Sequence, residues 1–332
     1  MNEGTVKATV FRFLELFGIL ALWERGATGV PILAYHGVTE GVERGSLGNR
    51  RRLHVPAPLF EEHLRLLTSR WHPIPLSELR ARLAGGQPIP KRAVAITFDD
   101  GYRNVLSVAW PLLRRFSVPA TLFVLTAARP TRLWMDRLES AFEFTDVTEF
   151  QWDGLRVPLN SPVARERAVA LIARQLEVLG PEREPKLGEL LRRLHEPASP
   201  PSDDRDLLTW DEVRTLQRAD LDIGSHADAH EPLASVPLEE VKRRLRESRT
   251  RLEAELGPGA YPLAYPYGSW TGGVRSAADS AGFSCALTTD PGLNRPRADP
   301  FLLRRYLVGA DDDRPRLRAS LSGLRGRLRP PA

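Results

Sequence analysis

The residues best suited to chemistry in this chain are two adjacent carboxylates, Asp99 and Asp100, at the end of an apolar run and followed by Gly101. Val94, Ala95, Ile96 and Phe98 read as a buried strand, and Asp-Asp-Gly is where such a strand leaves its sheet. Like charges so close repel, and each must be desolvated, so a positive group is expected beside them. The plain alternative is a solvated Asp-Gly turn. A second group, His226-Ala-Asp-Ala-His230, follows a short apolar stretch at Leu221–Ile223. Its two imidazoles stand at i and i+4, which on one face of a helical turn puts them about 5–6 Å apart, close enough to share a metal ion. With the aspartate pair they form a two-His-one-carboxylate set, suited to a divalent metal that keeps open positions for water. A third group, Tyr265-Pro266-Tyr267-Gly268, ends an aromatic strand in a turn that can aim a backbone N–H into a cleft, or can simply pack on a rim.

As a set these residues resemble the polysaccharide deacetylase family, the NodB-homology or carbohydrate esterase 4 group. Thr97–Gly101 carries its Thr-Phe-Asp-Asp-Gly motif unchanged, and His226 and His230 fill its His-[Ser/Thr]-x-x-His motif with Ala227 in place of the hydroxyl residue. Pro266 and Tyr267 match the end of Arg-x-Pro-Tyr, with Ala264 where the arginine stands, and no histidine follows His230 to supply the C-terminal Leu-x-His. The apolar stretch Val30–Ala34, ending in Tyr35-His36, is similar to the N-terminal Tyr-His element of the exopolysaccharide-type branch, whose members place the catalytic histidine at the start of the domain. The likeness covers residues 30–128 and 207–310. It implies a divalent metal, zinc foremost, held by Asp100, His226 and His230. It further implies Asp99 as general base, His36 as general acid, and the Tyr267 N–H as part of an oxyanion hole. Arg305, on a late strand beside Arg304, is placed to pair with Asp99 and set its pKa. The substrate implied is an N-acetylated glycan or lipid-linked sugar, giving up acetate in exopolysaccharide or cell-envelope glycan metabolism. Two alternatives stand beside this one: hydrolysis of another amide or ester, and a catalytically silent glycan-binding module.

Elements able to position these groups are legible. Apolar strands near 30–35, 93–98, 119–125, 221–225, 260–265, 283–288 and 302–308 alternate with amphipathic helices at 58–69, 76–84, 105–116, 210–218, 238–256 and 271–281. This predicts an α/β fold, a distorted (β/α) barrel of about seven strands, with His36, Asp99, Asp100, His226 and Tyr267 just after strands and so on one rim. Residues 129–206 interrupt the alternation and are expected to form a cap insertion. It would hold a hairpin from 142–150 and 151–159, helices at 164–179 and 186–194, a linker at 196–204, and Trp134 either stacked on a sugar or in the cap's core. The barrel is assigned 30–128 and 207–312, the N-terminal amphipathic helix 1–29 and a basic C-terminal tail 313–332.

With 332 residues the chain can bury a large core, and a net charge of +5 spread over 47 basic and 42 acidic residues gives no nucleic-acid-binding pattern. The lone Cys285 rules out an intrachain disulfide and favours a reducing compartment. Val6–Trp23 is apolar but interrupted by Lys7, Arg12 and Glu15, too broken for a membrane span or a secretory signal. It reads as an amphipathic helix that packs on the barrel or makes a peripheral membrane contact, and the expected location is cytoplasmic, with membrane association through this helix as the variant.

Overall fold

The computed structural model describes residues 3–40, 47–49, 52–127, 132–194 and 205–327. The chain forms two compact units, one from residues 1–40, 53–129 and 208–332, the other from 41–52 and 130–207.

The first unit is built on seven parallel strands: β1 (Ile32–Tyr35), β2 (Ala93–Phe98), β3 (Thr121–Val124), β4 (Asp222–Ser225), β5 (Leu263–Ala264), β6 (Ala286–Leu287) and β7 (Tyr306–Leu307). Their spatial order is β6-β5-β4-β3-β2-β1-β7. A parallel bridge between Leu287 and Leu303 joins β6 to the segment entering β7 and carries the sheet towards a closed, distorted barrel. Every residue of β1, β2 and β3 is buried, which is why these strands read as continuous apolar runs and not as alternating ones. The period of two survives in what each side touches. Leu33, Tyr35, Val94, Ile96, Phe98, Leu122 and Val124 join the core shared with the outer helices. Ile32, Ala95, Phe123, Ala264, Cys285 and Leu287 join a second core that includes Leu76, Leu79 and Leu83 of the helix Leu76–Gly85.

The helices Trp210–Arg218 and Leu238–Leu256 have the bounds expected from the sequence. The first opens on a capping box in which Thr209 and Glu212 satisfy each other's backbone N–H groups. Other expectations need correction. The N-terminal amphipathic stretch is two helices, Glu3–Leu16 and Ile19–Gly26, because Gly18 adopts a left-handed φ of 70°. Residues 105–116 begin as a wide π turn over Val105–Ala109 before the helix Trp110–Arg115. The basic C-terminal stretch is not a solvated tail over its described part. Arg314–Leu321 is a helix with Leu317, Arg318, Ala319 and Leu321 buried, and Arg318 pairs with buried Glu24 at 2.6 Å. Short parallel strands at Gly37–Thr39 and His54–Pro56, and another at His72–Pro73 on the edge of β2, have no counterpart in the sequence reading.

The second unit has its own apolar core, formed by Leu138, Phe142, Phe150, Trp152, Val169, Ile172, Leu187 and Leu190 among others. Its hairpin pairs Glu149–Trp152 with Leu155–Pro158 around Asp153-Gly154. Phe142 belongs instead to the helix Trp134–Phe144, whose apolar face is buried. Trp134 fills this core, with the Arg183 guanidinium 4.9 Å from its ring, so it is no exposed sugar platform. The expected linker at 196–204 lies outside the described residues.

A buried polar chain ties β1 to the C-terminal region. The Tyr35 hydroxyl donates to His63 Nδ1 at 3.1 Å, and His63 Nε2–H donates to the Asp312 carbonyl at 2.6 Å. Burial pushes the His63 imidazole down to about 4, against the smaller opposing pull of Asp312 and Asp313. A buried neutral histidine binds its proton more weakly folded than unfolded, so its contribution to stability is whole above about pH 6.5 and is lost as pH falls towards about 4. In that window the stability difference between the wild type and His63→Gln should shrink by about 1.4 kcal/mol per pH unit. Denaturant unfolding of both proteins across the window measures it, and a difference that stays flat with pH would show that His63 does not titrate this way.

Candidate active site

The ends of β1, β2, β4 and β5 deliver the candidate residues. Asp99 N–H donates to the Tyr35 carbonyl at 2.9 Å, so His36 and Asp99 leave adjacent strands side by side. Successive strand residues face opposite ways, and both aspartates can serve one site only if the backbone turns. It turns at Asp100 (φ 71°) and Gly101 (φ 79°). A side chain at Gly101 would be strained by that φ and would meet Val124 at 3.1 Å. Gly37, just after His36, is equally constrained, since a Cβ there would lie 2.4 Å from both Asn104 Oδ1 and His54 Nδ1.

Asp99 is gripped by buried Arg305. Nη1 and Nη2 donate to its two carboxylate oxygens at 2.7 and 2.8 Å, while Nε donates to the Thr288 carbonyl at 2.9 Å and Nη1 also reaches Thr97 Oγ1 at 3.2 Å. This two-pronged pair is the positive group that the doublet requires, and it is Arg305, not Arg304, that makes it. Burial alone would push the Asp99 carboxyl up, but Arg305, His226 and His36 outweigh it and hold the group below the usual carboxylate range. Asp99 is therefore an oriented, ionised carboxylate.

Asp100 faces the histidines. Its Oδ1 is buried, makes no well-directed hydrogen bond, and lies 3.3 Å from Nε2 of both His226 and His230. His226 Nδ1–H donates to the Ala264 carbonyl at 2.9 Å, which leaves the Nε2 lone pair aimed at the cluster. One ligand atom from each of Asp100, His226 and His230 lies within 4.8 Å of the others. A carboxylate oxygen and two imidazole lone pairs converging in this way fit a divalent cation, with zinc well matched to the donors. Burial would raise Asp100, but the imidazoles of His230, His226 and His36 bring it strongly down. Burial would lower His226, but Asp100 and Asp99 bring it up.

The two histidines do not sit on a helical turn. β4 runs to Ser225, Ala227 adopts a left-handed φ of 61°, and the loop's carbonyls accept from β3's continuation: Thr126 N–H to Ala227 O at 3.0 Å and Ala127 N–H to Asp228 O at 3.1 Å. With these bonds made across the sheet, no helical register is needed, and the rings still come to 5.4 Å centroid separation. On the other side Arg244 clamps the loop. Its Nε is 2.8 Å from both Asp228 oxygens and its Nη1 2.8 Å from Glu231. Nothing in the sequence singles this arginine out from its neighbours on the 238–256 helix. Tyr267 completes the rim in a left-handed turn (φ 58°), its ring 4.4 Å from that of His230. His36 leaves β1 beside Asp99, and its positive form helps to hold both aspartate carboxyls down.

The model of the polysaccharide deacetylase family matches residues 86–286, more than half of the chain and the span that holds both aspartates, both histidines and Tyr267. The chain belongs to the polysaccharide deacetylase family. Among curated proteins it is 30% identical over 119 residues to the poly-β-1,6-N-acetyl-D-glucosamine N-deacetylase of Escherichia coli strain K12, a stretch that is 34% of this chain and 16% of that protein. Among solved structures it resembles the Streptococcus pyogenes deacetylase PplD in complex with acetate (TM-score 0.60, 16% identity, 89% of this chain and 99% of that one). It likewise resembles IcaB from Ammonifex degensii (TM-score 0.59, 19% identity, 89% and 98%). These likenesses give the same barrel fold as the strand order above. The likeness to the Escherichia coli N-deacetylase agrees with the branch suggested by Tyr35-His36.

Proposed function

We propose that this deacetylase is metal-dependent and hydrolyses the acetamide of an N-acetylated sugar, in a polysaccharide or a lipid-linked precursor, releasing acetate. The observation that carries this reading is the convergence of Asp100, His226 and His230 beside an Asp99 held by Arg305. Asp100, His226 and His230 would hold a divalent ion, zinc foremost, which would supply an acidified water and polarise the carbonyl. Asp99, kept ionised and fixed by Arg305, takes the proton from the attacking water. The Tyr267 N–H donates to the oxygen that gains negative charge, and the strained turn at Tyr267 and Gly268 holds that N–H in place. His36 delivers a proton to the departing amine, the part played elsewhere in the family by a histidine that this chain lacks after β6. The matched stretch is a small part of the Escherichia coli relative, so the choice of glycan belongs to this proposal and not to the likeness.

Acetate release from a panel of N-acetylated oligosaccharides and lipid-linked sugars, with and without chelator, tests it. Release that chelator abolishes and added zinc restores is the expected result. Release unaffected by thorough chelation would overturn the metal, and glycan binding without release from any substrate would favour the silent module.

Arg244 gives a second check on the same site. If its clamp sets the loop that carries both histidines, Arg244→Met should weaken metal binding by about 10–100-fold, the usual effect of losing an outer-shell partner. Asp228→Asn should act in the same direction but more mildly, since Arg244 still holds Glu231, and the double variant should add little to Arg244→Met. Metal titration with a competing chelator reads this, and unchanged affinity would leave the clamp purely structural.

A further inference from the structure

The N-terminal helices turn Glu15 and Glu24 inward and leave several large apolar side chains outside. Glu15 pairs with Arg318 at 2.9 Å and Arg314 at 3.3 Å, and Glu24 is buried against Arg318. Phe11 and Leu20 pack on Ala319 and Leu324. What remains outside is Phe13 (56% exposed), Leu16 (81%), Phe17 (61%) and Leu22 (64%). Phe13 and Leu16 stand at i and i+3 of the first helix, and Phe17, just past its end, donates its N–H to the Phe13 carbonyl at 3.1 Å and lays its ring 4.3 Å from that of Phe13. A stripe of this size and exposure on a globular protein marks an interaction surface.

Leu22 also lines a cavity of about 700 Å³ together with Trp23, Arg295, Arg304 and Arg327, and none of the described residues lining it is acidic. The Arg327 guanidinium lies 5.1 Å over the Trp23 ring, and none of the three arginines pairs with a carboxylate among the described residues. Arginines gathered around exposed Leu22, on the helix that follows the Phe13–Phe17 stripe, suit one partner above others. A two-fold contact with a second copy would set these cations against themselves. An anionic bilayer surface would take the apolar side chains into its acyl boundary and the guanidiniums to its phosphates.

We propose that this face docks peripherally on an anionic lipid surface, with Phe13, Leu16, Phe17 and Leu22 entering the interface and the Arg295–Arg304–Arg327 cavity receiving phosphodiester headgroups. No described helix is long and apolar enough to cross a membrane, so the contact is one of lying on the surface. The inference is independent of the catalytic reading.

The test is flotation of the full chain with vesicles of phosphatidylcholine alone or of phosphatidylcholine with about a third phosphatidylglycerol, the composition that supplies the anionic charge. The wild type should float with the anionic vesicles and far less with the neutral ones. Phe17→Glu and, separately, Arg295→Glu with Arg327→Glu should each lower binding at least about tenfold, as expected when interfacial apolar area or several charges are lost. All these residues are exposed, and each variant should keep wild-type acetate release from a soluble oligosaccharide. Three results would overturn the proposal: no binding to either vesicle, equal binding to both, or binding insensitive to both variants. Inorganic phosphate bound without vesicle binding would make the cavity a free-anion site, and a dimer broken by Phe17→Glu without vesicle binding would make the stripe a self-association face.

Discussion

A His230→Ala protein should fold, lose its metal, and release acetate no faster than chelated wild type. Of the three proposed ligands His230 is the least buried, so its removal best separates metal loss from unfolding. The effect on affinity should exceed the about 10–100-fold that an outer-shell partner costs, because a direct lone pair is gone. Asp100→Ala and His226→Ala should behave alike but be less stable. Removing Asp100 leaves two imidazoles facing one another without their anion, and removing His226 leaves a buried carboxylate short of a partner. Metal content after dialysis, thermal unfolding and acetate release, measured together, decide the matter. Stoichiometric metal retained by His230→Ala and Asp100→Ala would remove these residues from the ligand set.

The sequence carries this site unevenly, and the reasons are physical. Buried parallel strands must be apolar on both sides, so β1 to β3 and the apolar stretch Leu221–Ile223 stand out, and the polar residues that follow such stretches stand out in turn. That is why Asp99, Asp100, His226 and His36 could be picked from residue type and place. Helices with a clean apolar stripe and strong caps, such as Trp210–Arg218 between Thr209 and Ala219, are likewise legible. Strands of two or three residues, such as Gly37–Thr39 with His54–Pro56, are too short to show a period. The break at Gly18 rests on one backbone angle. Long-range polar pairs leave no local trace: Arg305 could be suggested only by its place on a late strand, and the contacts of Arg244 with Asp228 and of His63 with Tyr35 not at all. The helical turn expected at 226–230 failed because backbone bonds to Thr126 and Ala127 compete with helical ones, a competition that spacing alone does not reveal.

The two proton-transfer residues should separate by substrate. Asp99→Asn and His36→Ala should both keep metal and both lose turnover by about 10²–10⁴-fold on an acetamide, the usual range for general acid–base catalysis. The controls differ, because Asp99 is buried with Arg305. Its asparagine variant leaves a guanidinium with no counter-charge, so Asp99→Asn should also unfold more easily, and Asp99→Asn with Arg305→Met should recover stability without recovering rate. His36 is only part-buried, so His36→Ala should cost less stability than Asp99→Asn. The decisive difference lies in the leaving group. An amine must be protonated as it departs, whereas an acetate ester of a good phenol leaves as the anion. The defect of His36→Ala should therefore shrink markedly on the aryl ester, while that of Asp99→Asn, which concerns the attacking water, should stay. Steady-state kinetics of both variants on the two substrates read this ratio. If both defects shrink together, or if His36→Ala hydrolyses the acetamide at the wild-type rate, the proton for the leaving amine comes from another group.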